Sequence, residues 1–233
     1  MKGVVDMENP MENYVNAPIV CTRGVIVFPN QEIIIDVGRE KSIRAVEDAR
    51  QLFDGKVVLV SQRDLTLEDP KMEDLYHVGT LCEIRHIRRL EGYLRVKFHG
   101  IQRCELTAIA EENGCQMAHV TLLDDIRQDE MEEVTLVRMI ANQFEEMEAV
   151  SAHLPKEVIT ELAKGVSAQQ LSDQIAQMFP FSLEKRQEFL ETLGINDRLM
   201  LVLQEIRNEK QLSQIENKIN EKVKERIEEG QKE

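Results

Sequence analysis

Apolar positions follow a period near two in the first half of the chain and a period near four in the second. "APIVCTRGVIVFP" and "EIIIDV" are apolar and β-branched, and they flank a turn at Pro29–Asn30, which predicts a pair of strands. "REKSIRAVEDARQLFDG" then changes period. Ile43, Val46, Ala49 and Phe53 recur three and four residues apart, one face of a helix that Gly55 should stop. "KVVLVSQ" reads as a strand buried on both faces. In "YLRVKFHG", Leu94, Val96 and Phe98 alternate with Tyr93, Arg95, Lys97 and His99, the pattern of a half-buried antiparallel strand. "IQRCELTAIA" and "CQMAHVTLL" continue it around Asn113–Gly114, a strong hairpin signal. Residues 1–124 therefore predict a small, mostly antiparallel, closed or half-closed barrel with one helix.

Near Asp124 the pattern becomes helical. Met131, Val134, Val137, Ile140, Phe144 and Met147 form one predicted stripe. "LPKEVITELAKG" has Pro155 suited to a first turn and Gly165 to a stop, while Ser167 and Ser182 are placed to cap two further helices. Residues 125–195 thus read as a helical bundle. After the Asn196–Asp197 cap, residues 198–230 read as one helix without a breaker, about 50 Å long. Its apolar stripe thins to Leu199, Leu203, Ile206, Leu212, Ile215, Ile219, Val223 and Ile227, and slips phase after Ile206. Such a helix needs a partner or serves as a connector, and a chain that stops within it is expected to be truncated.

Composition narrows the function classes. The chain has 233 residues and a formal net charge of -14, with aromatics at 4% and no Trp. Phosphate backbones are held by Lys and Arg and bases stack on aromatics, so nucleic acid and anionic membranes are poor expectations. No apolar run approaches the roughly 20 residues of a membrane span, and the amino terminus lacks a signal-peptide pattern, which points to the cytoplasm. Cys21, Cys82, Cys104 and Cys115 form no C-x-x-C pair and lie in strand-like stretches, so buried free thiols are expected.

Catalytic motifs are missing. The sequence has no phosphate-cradling glycine loop, no G-x-S-x-G elbow and no metal-spaced histidines; His77, His86, His99, His119 and His153 are scattered singly. Two charged features stand out. Arg85, Arg88, Arg89, Arg95, Lys97 and Arg103 make 85–103 locally basic, which fits the wet face of a hairpin or a docking patch for an acidic partner. "GREKSIR" puts Arg39, Glu40, Lys41 and Arg44 at the start of the first helix, where Glu40 complements the helix dipole; a capping role or a recognition rim would follow.

The order of these segments carries a resemblance. An apolar strand ending in Phe28–Pro29, then "VGREKSIRAVEDA", "VVLVSQRD", "EDLYHVGTLCEI" and "VKFHGIQRCEL" resembles the amino-terminal domain of Lon-type ATP-dependent proteases. "LVRMIANQFEE", "LPKEVITEL", "QLSDQIAQMFPFSLEKRQEFLE" and "INDRLMLVLQEI" extend it over nearly the whole chain. Gly24 and Asp36 depart from the family pattern, and both bear on the first strand pair.

The resemblance implies an α+β fold: a PUA-like β-barrel subdomain at 1–124, a helical bundle at 125–195, and a long helix at 196–233 leading toward an ATPase module. It also implies that the Walker motifs, the Ser-Lys dyad, and with them ATP and Mg, belong to modules beyond residue 233, leaving no cofactor and no catalytic residue here. The expected partners are unfolded or damaged protein substrates and the remaining modules of a homohexameric protease, with Arg39, Glu40, Lys41 and Arg44 as the expected recognition rim. Assembly or gating of the hexamer through the long helix is the alternative. PUA-like folds elsewhere bind RNA, a further reading that the acidic charge opposes.

Overall fold

A computed structural model describes residues 13–112, 114–148 and 167–230. The predicted helix at 154–165 lies outside the described residues, as does Asn113 of the predicted hairpin. The contacts divide the chain into two compact units: the chain up to Asp124 together with Phe181–Glu191, and Asp125–Pro180 together with Thr192 onward.

The first unit is built on a six-stranded sheet of β1 (Tyr14–Thr22), β2 (Glu32–Val37), β3 (Lys56–Ser61), β4 (Val78–Leu90), β5 (Tyr93–Glu112) and β6 (Cys115–Leu123). The strand order is β2-β5-β4-β3-β1-β6, and a further β5–β6 pairing closes β5, β4, β3, β1 and β6 into a ring. The β1–β3 pairing is parallel and the remaining pairings are antiparallel. Closure depends on the length of β5. Its first part pairs with β2 and its second part with β6, with shifts in register at Leu81/Cys82, Ile84/His86 and Leu106/Ala108 that bend the ladder.

Alternation decides what each strand buries. Val57 and Leu59 of β3 join Leu94, Val96 and Phe98 of β5 in one core, covered by Ala45, Val46 and Ala49 of α1 (Glu40–Leu52). Val58 and Val60 point the other way, into a second core with Ile19, Leu75, Leu81, Leu106 and Val120. Ile43 and Phe53 of the predicted helix face pack at the margin of the first core, half-buried. The helix stops where predicted, with the Gly55 N–H donating to Ala49 O at 2.8 Å.

The predicted strand pair at Pro29–Asn30 does not form. The turn exists, with Gln31 N–H donating to Phe28 O at 3.3 Å. However, β1 pairs with β3 and β6, β2 pairs with β5, and residues 23–28 are irregular. The reason is a close approach: the turn docks on Gly100, whose N–H donates to Gln31 O at 2.9 Å while its carbonyl accepts from Asn30 at 2.8 Å. A Cβ at Gly100 would lie 2.2 Å from Phe28 O, and one at Gly79 would lie 2.5 Å from Leu59 O. Both glycines sit in the motif segments quoted for the resemblance, where no side chain fits.

The short helix Leu183–Glu191 groups with the sheet. Ser182 Oγ caps it by accepting from Lys185 N at 3.3 Å, and Gln187 Nε2 donates to Val78 O at 2.9 Å. Arg103 is 1% exposed and donates to Leu190 O at 3.0 Å, so it belongs to this packing and not to a basic surface.

The second unit contains α2 (Glu130–Glu148), α3 (Ala168–Met178) and α5 (Ile195–Gly230), the helix at Leu183–Glu191 being α4. Ser167 caps α3 as expected. The buried row of α2 is Leu136, Ile140 and Phe144, whereas the predicted stripe members Met131 and Val134 are exposed. An i, i+4 ridge facing α5 displaces the stripe by part of a turn. The cap of α5 also differs from expectation. Gln128 Oε1 accepts from Asn196 N at 3.0 Å, which frees the Asn196 side chain to donate to Asp129 O and Glu132. Arg198 is fully buried and ion-paired to Asp125, with Ser172 Oγ at 3.2 Å and Thr192 O at 3.0 Å. The start of α5 is buried through Ile206; Leu212, Ile215, Ile219 and Val223 are exposed, so the stripe that predicted a partner has none among the described residues. No helix among the described residues is long and apolar enough to cross a membrane.

Candidate functional site

The start of α1 positions the GREKS residues. Arg39 is the extended residue before the helix, and its half-buried guanidinium faces back across the sheet unit. It donates to Cys21 O, to Gln62 Oε1 at 3.0 Å and to Glu68 O at 3.2 Å. Burial is the largest influence on its pKa and draws it down, and these acceptors offset the lost hydration. Lys41 Nζ pairs with Asp69 at 2.6 Å, and that hydrogen bond raises the lysine pKa. Arg44 turns the other way and donates to Gly114 O at 2.8 Å, tying α1 to the β5–β6 turn. Glu40 is exposed in the first turn, where it complements the helix dipole.

Loop 63–70 forms the facing wall. Arg39 and Lys41 hold it from α1, and Arg23 holds it from the end of β1 through Leu67 O at 3.0 Å and Glu68 at 2.9 Å. The loop also braces itself. Gln62 Nε2 donates to Asp64 O at 2.6 Å and Leu67 O at 3.1 Å, and Asp64 Oδ1 accepts from the Thr66 amide and hydroxyl. In sequence this stretch is a polar connector. The short Asp64-x-Thr66 turn signal is its local hint, and the ties from α1 are long-range.

Between the walls run three adjoining clefts, of about 510, 460 and 250 Å³. The first has an apolar floor of Val20, Val25, Ile35 and Val37 beneath Arg23 and Arg39. It shares Cys21, Gly38, Arg39, Ser42 and Glu68 with the second, which passes Glu40 and Lys41. Asp69, Pro70 and Gln116 continue into the third, floored by Ile109 and Ala110. The three share lining residues and together form one trough with apolar stretches and a charged rim. Of the rim residues predicted from sequence, Arg39, Glu40 and Lys41 line it; Arg44 does not.

Four of the six cations of the basic stretch lie in ion pairs. Arg95 makes two 2.7 Å bonds to Asp36, Lys97 lies 2.6 Å from Glu32, Arg85 lies 3.0 Å from Glu83, and Arg89 pairs with Glu47. Hydrogen bonds from Lys97 and Arg95 hold the Glu32 and Asp36 carboxyls below the ordinary carboxylate range. These pairs describe the wet face of a hairpin better than a docking patch for an acidic partner.

The four cysteines are free and buried. Burial pushes Cys21 up to about 11 and Cys104 and Cys115 up to about 12, and raises Cys82 well above the usual thiol value. Among the described residues, no group of three or more His, Cys, Asp or Glu is placed to hold a metal ion. What the trough offers is shape and apolar surface under a charged rim.

Residues 16–208 match the family model for the ATP-dependent protease La (LON) substrate-binding domain. The chain is 34% identical over 233 residues to a Lon protease of Bacillus thuringiensis, a match covering 99% of this chain and 29% of the relative. It is 33% identical over 220 residues to a Lon protease of Escherichia coli K12, covering 94% of this chain and 28% of the relative. The chain thus spans between a quarter and a third of the length of these relatives. Among solved structures, the N-terminal domain of a Mycobacterium avium complex Lon protease shares the fold at a TM-score of 0.66 and 17% identity, over 83% of this chain and 98% of that one. A Lon N-terminal domain protein from Xanthomonas campestris does so at 0.53 and 16%, over 81% and 97%.

Proposed function

Because the chain belongs to the ATP-dependent protease La (LON) substrate-binding domain family, we propose that it recognises unfolded or damaged protein segments and positions them for degradation. The unfolding and cleavage would be done by AAA+ and Ser-Lys protease modules of a longer, hexameric protease, in which ATP and Mg act, with no cofactor in this chain. The observation that supports this most is the continuous trough beside Arg39, Glu40 and Lys41. Unfolded proteins expose apolar segments, and an apolar floor under a charged rim takes them up while keeping the receptor soluble. Binding is weak and broad, because a tight grip opposes transfer to an unfoldase. The α5 helix would tether the domain near the ATPase ring and supply local concentration in place of affinity.

Fluorescence anisotropy of the 233-residue chain against one labelled protein, native and permanently unfolded, tests this. Binding of the unfolded form alone is expected. Binding of neither form by the folded chain contradicts it.

A second reading is that the domain assembles or gates the hexamer through α5. The exposed Leu212, Ile215, Ile219 and Val223 favour it. Under this reading the chain self-associates with rising concentration and deletion of 205–233 abolishes the effect; sedimentation showing a monomer throughout removes it.

A further inference from the structure

Resting on the reading of this chain as a receptor for unfolded segments, we infer how such a segment is held: as an added strand on the outer edge of β2. The register fixes which backbone groups that edge offers. The Gly100 N–H donates to Gln31 O at 2.9 Å, so the residues that face β5 are those two, four and six further on: Ile33, Ile35 and Val37, opposite Phe98, Val96 and Leu94. In a strand, the N–H and C=O of one residue point to the same side. Glu32, Ile34 and Asp36 therefore direct theirs away from the sheet. β2 pairs with β5 and with no other described strand. Donors and acceptors that recur every second residue, about 6.8 Å apart, are matched by one kind of ligand, an extended polypeptide backbone.

Charge selects the occupant further. Edge strands commonly carry charges that repel added strands. Here Glu32 and Asp36 are drawn over β5 by Lys97 and Arg95, so the carboxylates are matched by cations of the same sheet face. An edge flanked by matched pairs suits an uncharged segment. The carboxyl end of the same edge, Ile35–Gly38, borders the first cleft with its Val20 and Val25 floor, which receives the apolar side chains of one face of the added strand. A second copy of β2 is a poorer occupant. Antiparallel pairing centred on Ile34 sets Glu32 of one copy opposite Asp36 of the other, and like charges directly opposite are unfavourable. The occupant is an extended, uncharged segment with alternate apolar residues.

The test uses the 233-residue chain and a fluorescein-labelled octapeptide of alternating valines and threonines. Two further peptides carry N-methyl groups on the valines only or on the threonines only. A strand presents one of the two sets to its neighbour. Methylating that set is expected to weaken binding at least tenfold, and methylating the other to change it less than threefold. On the protein side, Ile34→Pro removes an outward N–H without taking a ladder bond from β5, whereas Ile34→Ala keeps it. With circular dichroism unchanged, Ile34→Pro is expected to lose at least tenfold and Ile34→Ala less than threefold. Equal effects of the two methylated sets overturn strand addition. So does unfolded protein binding equally to the Ile34→Pro chain and its parent, an outcome that leaves the receptor reading standing. Failure of the parent to bind any unfolded protein defeats the receptor reading itself. Concentration-dependent dimers abolished by Ile34→Pro assign the edge to a second copy and overturn the inference.

Discussion

Gly100→Ala tests whether the docking of the Pro29–Asn30 turn organises the sheet unit. The added Cβ meets Phe28 O at 2.2 Å, Phe28 C at 3.0 Å and Pro29 Cα at 3.3 Å. All three are backbone atoms, so no side-chain rotation relieves the clash. Forcing a methyl group into such a site costs about 1–3 kcal/mol. Separating the strands also strains the bonds from Asn30 N to Gly100 O and from Gly100 N to Gln31 O, each worth about 0.5–1.5 kcal/mol. The sum is roughly 4 kcal/mol. At a urea slope of about 2 kcal/mol/M, the midpoint falls by about 2 M. Tyrosine fluorescence reads this unit alone, since Tyr14, Tyr76 and Tyr93 are the only tyrosines and all lie in it. Gly92→Ala is the control. Gly92 has φ +83°, and an added methyl group there meets nothing within 4 Å, so only the left-handed backbone cost of about 1 kcal/mol applies, about 0.5 M. A Gly100→Ala midpoint equal to that of Gly92→Ala refutes the close-approach account.

Arg39→Ala and Arg39→Lys both lose the planar fork that serves Cys21 O, Gln62 Oε1 and Glu68 O, so trypsin should cut after Arg63 and Lys71 several times faster than in the parent; an unchanged rate means loop 63–70 does not depend on Arg39. With Cys21 at about 11 and the other three thiols raised as well, native protein at pH 8 should leave an aromatic disulfide reagent unreacted over minutes, and urea should expose four thiols; fast native labelling contradicts the burial. Glu32 and Asp36 have folded pKa values below their unfolded ones, so their contribution is present above the ordinary carboxylate range and is lost as pH falls through the folded values. NMR amide signals of β2 should therefore weaken in acid, below about pH 4, before those of α1, and simultaneous loss counts against the ion pairs.

What the sequence made legible was local. Leu94, Val96 and Phe98 are buried as their alternation predicts, and Ser167 and Ser182 cap the helices that follow them. Period and capping depend on neighbours in the chain. The pairing of β2 with β5 depends instead on Gly100, far along the chain from the turn it receives, so a two-residue turn signal misplaces the partner. Arg103 reads as a surface charge, and Arg198 carries no signal of burial, because their acceptors, Leu190 O and Asp125, come from distant segments. The candidate site divides the same way. Arg39, Glu40 and Lys41 are visible as a charged cluster at a helix start. The wall they face becomes visible only when loop 63–70 folds back onto them.

Hydrogen exchange of the 233-residue chain, alone and with a permanently unfolded protein, tests the central claim most directly. Recognition in the trough predicts slowed exchange across 32–41 and 63–70 and unchanged exchange along 212–223. Protection confined to 212–223, or absent everywhere in the folded chain, contradicts it and moves substrate recognition out of the sheet unit.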